Sequence, residues 1–124
     1  LCQSADIISI HTPLSDTTRA LINKERIAMM KRDAILINVA RGPVVETAAL
    51  AKALNEGSIA GAGIDVFDME PPIPADYPLL GAKNTVLTPH VAFATDESML
   101  RRAEIVFDNL DAWLSGSPKN VCKL

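Results

Sequence analysis

Three side chains give this sequence its candidate chemistry: the guanidinium of Arg41, the carboxylate of Glu70 and the imidazole of His90. Each stands just past an aliphatic run and beside a turn signal. Arg41 precedes Gly42-Pro43, Glu70 precedes Pro71-Pro72, and His90 follows Thr88-Pro89. A carboxylate hydrogen-bonded to the imidazole would fix its tautomer and stabilise the imidazolium. That would raise the histidine's proton affinity into the range useful for acid–base work at neutral pH. A guanidinium offers a planar fork that grips a carboxylate and polarises a carbonyl oxygen. The set suits hydride transfer at a carbon that bears a hydroxyl or carbonyl next to a carboxylate. Taken singly, each residue has a plainer reading: a solvated loop arginine, a surface glutamate ahead of prolines, a satisfied or exposed histidine. Only elements that bring the three together favour chemistry over the plain readings.

Those elements alternate along the chain. Residues 7–10 (IISI) form a short apolar run that ends at His11-Thr12-Pro13, the pattern of a buried strand. Polar residues 15–18 lead to Leu21 and Ile22, and Asn23 is an N-cap for a short helix to about residue 30. Arg32-Asp33 turns into a second strand, residues 34–39. Glu46 and Thr47 offer acidic and capping groups to a helix with Leu50, Ala53 and Leu54 on one face, closed by Asn55-Glu56-Gly57. A third strand covers residues 61–67, GAGIDVF, where Asp65 interrupts a buried run. A carboxylate inside a core strand needs partners, so Asp65 either has structural hydrogen bonds or faces a ligand at the strand's end. Residues 70–78 hold four of the eight prolines and read as a loop. Val86 and Leu87 make a fourth short strand ending at Thr88-Pro89-His90. Thr95 then caps a long amphipathic helix from Asp96 to about residue 115, stopped by Gly116. Its stripe of Met99, Ala103, Val106, Leu110 and Trp113 reads as core or domain contact.

Strand and helix in alternation predict a parallel sheet with crossover helices, and ligands of such sheets sit outside the carboxyl ends of the strands. Four loops open there, with Thr12, Arg41, Glu70 and His90 as their first polar residues. An arginine, a carboxylate and an imidazole are thereby placed at one edge of one sheet.

Composition bounds the rest. With 124 residues, 48% of them hydrophobic, the chain can build one domain around one core, and aromatics at 4% leave aliphatic residues to fill it. A net charge of -3 and no basic patch argue against a nucleic-acid partner. No apolar run is long enough for a membrane span, and no signal-peptide pattern is present. Cys2 and Cys122 lack metal-ligand spacing and read as reduced thiols, which fits a cytoplasmic location. No set of residues has the spacing of a metal site.

The motifs HTPLSDTT, NVARGPVV, GAGIDVFDMEP and LTPHVAFAT, in this order and spacing, resemble the nucleotide-binding domain of the D-isomer-specific 2-hydroxyacid dehydrogenase family. The resemblance covers nearly the whole chain. It implies the C-terminal part of a Rossmann-type doubly wound α/β sheet followed by a long C-terminal helix. It also implies an oxidoreductase moving a hydride between NAD and a small D-2-hydroxy or 2-oxo acid, with NADP not excluded. Arg41 would bind the substrate carboxylate and keto oxygen, and His90 would exchange the hydroxyl proton with Glu70 in support. Implied NAD contacts are Thr12, Pro13 and Thr18, then Val39, Ala40 and Arg41, and Asp65 towards the nicotinamide carboxamide. The co-repressors of the C-terminal-binding type, which resemble these dehydrogenases, supply the alternative of a cofactor-sensing binding protein, and the chain on its own is expected to be a catalytically inactive fragment.

The chain departs from the family pattern in places. Glu46 stands where Asp or Asn is more common, and Phe93 where the glycerate and hydroxypyruvate reductase branch commonly has tryptophan. A small acid of that branch is nonetheless the expected substrate. No G-x-G-x-x-G occurs, and Gly57, Gly61 and Gly63 follow a helix, so they cannot cradle a pyrophosphate at a helix N-terminus. The chain starts at Leu1 and reads as a partial dinucleotide-binding domain that holds the nicotinamide side of the site, without a substrate domain. The expected assemblies are a homodimer for the parent protein and, for the chain on its own, self-association through an uncovered sheet edge at residues 7–10.

Overall fold

A computed structural model of the chain describes residues 1–69 and 72–122. It contains two compact units, Leu1–Val91 and Ala92–Leu124.

The first unit is built on a parallel sheet in the order β1-β2-β3-β4, with β1 at Ile7–Ile10, β2 at Ile35–Asn38, β3 at Gly61–Ile64 and β4 at Thr85–Leu87. Alternation sets its inner face: Ile8, Ile10, Leu36, Asn38, Ala62 and Ile64 are all buried. Helices α1 (Lys24–Ala28) and α2 (Thr47–Glu56) contribute Ile27, Leu50, Ala53 and Leu54 to the same core. The side chain of Asn23 caps α1 by accepting from the Arg26 amide at 3.0 Å. Gly57 ends α2 in the left-handed region (φ 67), where a glycine carries no Cβ penalty. The opposite face of the sheet is bare: Ile7 is 60% exposed, Ile35 40% and Val86 68%. Parallel sheets are ordinarily covered on both faces, so this face has the character of a surface made to be covered.

Three local expectations change. Residues 61–67 do not form one strand. The β3 ladder stops at Ile64 because β4 ends at its partner Leu87, and the amide of Asp65 makes a last bond to the Asn38 carbonyl at 3.0 Å. Glu46 occupies the N-cap position of α2 without capping it. Its carboxylate instead accepts from the Lys24 amide at 2.9 Å, joining the two helix starts. Helix α1 ends at Ala28, short of residue 30, with Met29 as its C-cap.

The second unit consists mainly of α3 (Asp96–Leu114), which begins with a capping box between Thr95 and Ser98 and carries Asp96 and Glu97 in its first turn. Its apolar stripe is exposed, with Met99 at 46%, Val106 at 56%, Leu110 at 49% and Trp113 at 67%. Among the described residues no helix is long and apolar enough to cross a membrane.

Candidate functional site

The loops leaving the carboxyl ends of β1, β2, β3 and β4 define the candidate site. The turn carrying Arg41 is shaped by Asn38, the last residue of β2 and 1% exposed. Its side-chain oxygen accepts from the Ala40 amide at 3.1 Å, and its side-chain nitrogen donates to the Arg41 carbonyl at 3.0 Å. A buried amide whose oxygen and nitrogen both bond the following turn fixes the path of the chain there. Arg41 itself is exposed, and its Nη1 donates to the Ala40 carbonyl at 2.7 Å. The short 3-10 turn Gly42–Val44 follows, with Pro43 in its first positions. Gly42 is required by close approach: a Cβ there would lie 1.9 Å from the carbonyl carbon and oxygen of Phe67 and 2.3 Å from the Asp68 nitrogen. The arginine turn and the loop after β3 therefore touch backbone to backbone.

His90 is held in an unusual backbone state. Its φ of 58° lies in the left-handed region, which a non-glycine residue occupies at a cost unless its surroundings impose it. Asp65 supplies that constraint. The Asp65 carbonyl accepts from the His90 amide at 2.8 Å, while its carboxylate accepts from the Thr88 hydroxyl at 2.5 Å and the Val91 amide at 2.8 Å. Asp65 is 3% exposed, so the carboxylate interrupting the third apolar run has its structural partners. It ties the end of β3 to the turn that presents the imidazole.

Arg41 and His90 line one cavity of about 480 Å³, together with Leu14, Phe67, Met69, Ile73 and Leu87 among others. Thr12, Pro13, Val39, Ala40 and Arg41 line a second cavity of about 510 Å³, with His11 and Leu14. Leu14 and Arg41 border both cavities, so the two adjoin. Among the described residues, Thr18 and Asp65 line neither. Thr18 instead braces the first loop, donating to the Pro13 carbonyl at 2.7 Å and accepting from the Ser15 amide at 2.7 Å. Glu70 lies outside the described residues. Phe93 belongs to the second unit, where the Arg102 guanidinium stands 5.3 Å from its ring centroid. No group of three or more His, Cys, Asp or Glu among the described residues is placed to hold a metal ion.

Sequence reasoning passed over His11. This residue, and not Thr12, is the first polar group after β1; it lines the second cavity, and its Nε2 is 2.7 Å from the Ser9 hydroxyl. Its position directly behind an apolar run was the available signal. The apolar wall of Phe67, Met69 and Ile73 was also missed, because loop residues give no periodicity from which to read a lining.

Residues 1–92 match the family described as D-isomer specific 2-hydroxyacid dehydrogenase, NAD binding domain. A glyoxylate reductase of Thermofilum pendens is 54% identical over 116 residues, covering 94% of this chain and 34% of that protein. A hydroxypyruvate reductase of Blautia hydrogenotrophica is 46% identical over 121 residues, covering 98% of this chain and 37% of its own length. The crystal structure of D-lactate dehydrogenase with NAD+ from Lactobacillus jensenii superposes with a TM-score of 0.86 at 40% identity, over 99% of this chain and 41% of that one. The chain thus spans little more than a third of the length of the curated relatives it matches.

Proposed function

Starting from a chain that belongs to the D-isomer specific 2-hydroxyacid dehydrogenase family as its NAD-binding domain, we propose that the protein containing it reduces a small 2-oxo acid. The product is the D-2-hydroxy acid, and the reductant is NADH or NADPH. The observation that carries this reading is the pair of adjoining cavities at the strand ends, one bordered by Arg41 and His90, the other by Thr12, Pro13, Val39 and Ala40. Thr12, Pro13, Val39 and Ala40 would hold the nicotinamide in the second cavity, and Arg41 and Leu14 border both cavities. Bound there, the nicotinamide would supply the hydride.

The protein's own residues do the rest. Arg41 pairs its guanidinium with the substrate carboxylate and draws electron density towards the carbonyl oxygen. His90, as imidazolium, gives its proton to that oxygen as the hydride arrives at the carbon, and recovers it in the reverse reaction. Glu70 supports the imidazolium in this scheme. Asp65, besides holding the His90 turn, would face the nicotinamide carboxamide, and Thr18 would act on the cofactor through the loop it braces. Glyoxylate and hydroxypyruvate, the substrates in the names of the two relatives, are the first choices here. The cofactor-sensing alternative rests on no observation that the enzyme reading does not use equally.

Arg41→Ala is expected to raise KM for the 2-oxo acid and lower kcat/KM by about 10²-fold, the scale of a lost charge-assisted bidentate contact in a partly dry site. Steady-state NADH oxidation by the intact enzyme measures it. An unchanged kcat/KM would remove Arg41 from the substrate.

The free thiols of Cys2 and Cys122 fit our placement of the protein in the cytoplasm. A homodimer is our expectation for the whole enzyme, and the exposed stripe of α3 is our candidate for a domain contact. The chain on its own is expected to self-associate, since β1 is an edge strand beside the bare face of Ile7 and Ile35. A concentration-independent monomer in light scattering would contradict that.

A further inference from the structure

We propose that Glu46 is a positioning residue for both cavities: by accepting from the Lys24 amide it locks the exit of the first loop to the exit of the arginine turn, and so holds the nicotinamide wall and Arg41 in one arrangement. The inference rests on the dehydrogenase reading above and adds to it a residue that touches neither substrate nor cofactor.

The two exits run side by side as a short ladder. The Ala20 amide donates to the Pro43 carbonyl at 2.8 Å, the Ile22 amide to the Val44 carbonyl at 2.9 Å, and the Glu46 amide to the Ile22 carbonyl at 3.0 Å. Ile22 and Val45 thereby form a parallel bridge outside the sheet, and Ile22, Val44 and Val45 are all buried. Ala20 sits at φ 49°, a left-handed state that a non-glycine residue keeps only where its surroundings hold it. Glu46 adds a rung at the far end, its Oε2 accepting from the Lys24 amide at 2.9 Å. The other rungs are backbone to backbone, so this is the one that a side chain supplies. A carboxylate at an N-cap ordinarily caps its own helix, whereas this one is turned onto the start of α1.

Both strips of the ladder lead back to the site. Before Ala20, Thr18 braces the loop whose Thr12 and Pro13 line the second cavity and whose Leu14 lines both. Before Val44 lies the turn of Arg41, which also borders both cavities. The two walls are therefore tied to each other beyond the sheet as well as through it. Glu46 lines neither of these cavities and is exposed, so its bond stabilises the fold only modestly. Its larger effect falls on the spacing of the walls.

The test uses the intact enzyme and reads NADH affinity by binding, KM and kcat for the 2-oxo acid, and the thermal midpoint. Glu46→Ala removes the acceptor. Lys24→Pro removes the donor at the first position of α1, where proline suits a helix, and the extended Asn23 before it (φ -88, ψ 178) suits proline. Each variant is expected to weaken NADH binding and to raise KM about three- to fivefold, with kcat within about twofold because Asp65, not the ladder, holds the His90 turn. The double variant should lose no more than either single one, since both remove the same bond. Glu46→Gln, whose side-chain oxygen still accepts, should stay within about twofold of wild type. Additive losses in the double variant, a change in only one of the two affinities, or Glu46→Gln as impaired as Glu46→Ala would overturn the proposal. Lower thermal midpoints with unchanged constants would do the same. Should one single variant not fold, the other, set against Glu46→Gln, decides alone. A wild type that neither binds NADH nor turns over any 2-oxo acid removes the dehydrogenase reading itself, whereas a working wild type with unaffected variants removes only the role of Glu46.

Discussion

Replacing His90 by asparagine is expected to cut kcat by about 10²- to 10⁴-fold, the usual scale of a lost general acid–base, with KM for the 2-oxo acid little changed. Asparagine is the informative choice because position 90 sits at φ 58°, and asparagine tolerates the left-handed region better than most residues. The hydrogen bond from the His90 amide to the Asp65 carbonyl and that from the Val91 amide to the Asp65 carboxylate do not need the imidazole, so the turn survives the change. Alanine would confuse two effects, loss of the ring and a strained backbone. Turnover near the wild-type rate in His90→Asn would show that the proton comes from elsewhere.

Gly42→Ala is expected to be the most damaging small substitution in the chain. The added methyl would stand 1.9 Å from the Phe67 carbonyl group and 2.3 Å from the Asp68 nitrogen, and those obstacles are backbone, which cannot rotate away as a side chain can. Overpacking of this kind costs on the order of 3 kcal/mol. The strain falls on the contact between the Arg41 turn and the wall ending at Met69, so activity should drop by more than stability accounts for. Gly81→Ala is the control, since a Cβ there meets nothing within 4 Å. Chemical denaturation of both variants, with kcat/KM alongside, decides it. Equal behaviour at the two glycines would mean that the arginine turn and the Phe67 loop are not locked together.

These two positions also mark how far the sequence could be read. The β1 run and the caps at Asn23 and Thr95 were legible because apolar runs and capping side chains act locally. The parallel order, and with it the placing of Arg41 and His90 at one end of the sheet, followed from alternation alone. The length of β3 did not, because Asp65, Val66 and Phe67 look like strand residues and only the end of the neighbouring strand releases them from the ladder. Gly42 read as a turn glycine, whereas its reason is a non-local approach to Phe67. The hydrogen bonds that join Thr47 and Tyr77 to Asp68 and to each other were illegible for the same cause, the partners lying 9 to 30 residues apart. For α3 the period showed which face is apolar and could not show what that face meets.

Asp65 was open to two readings from sequence, structural hydrogen bonds or a ligand at the strand's end, and the structure shows the hydrogen bonds. Its structural bonds to Thr88 and Val91 are geometric facts, and they place it directly behind His90.

The most direct measurement of the central claim is NADH oxidation by the intact enzyme with glyoxylate and hydroxypyruvate, set beside aldehydes of similar size that lack the carboxylate. The account predicts turnover with the 2-oxo acids and a loss of about 10²-fold or more in kcat/KM for the aldehydes, because Arg41 has nothing to grip. Equal turnover of both classes, or none with any 2-oxo acid, would contradict it.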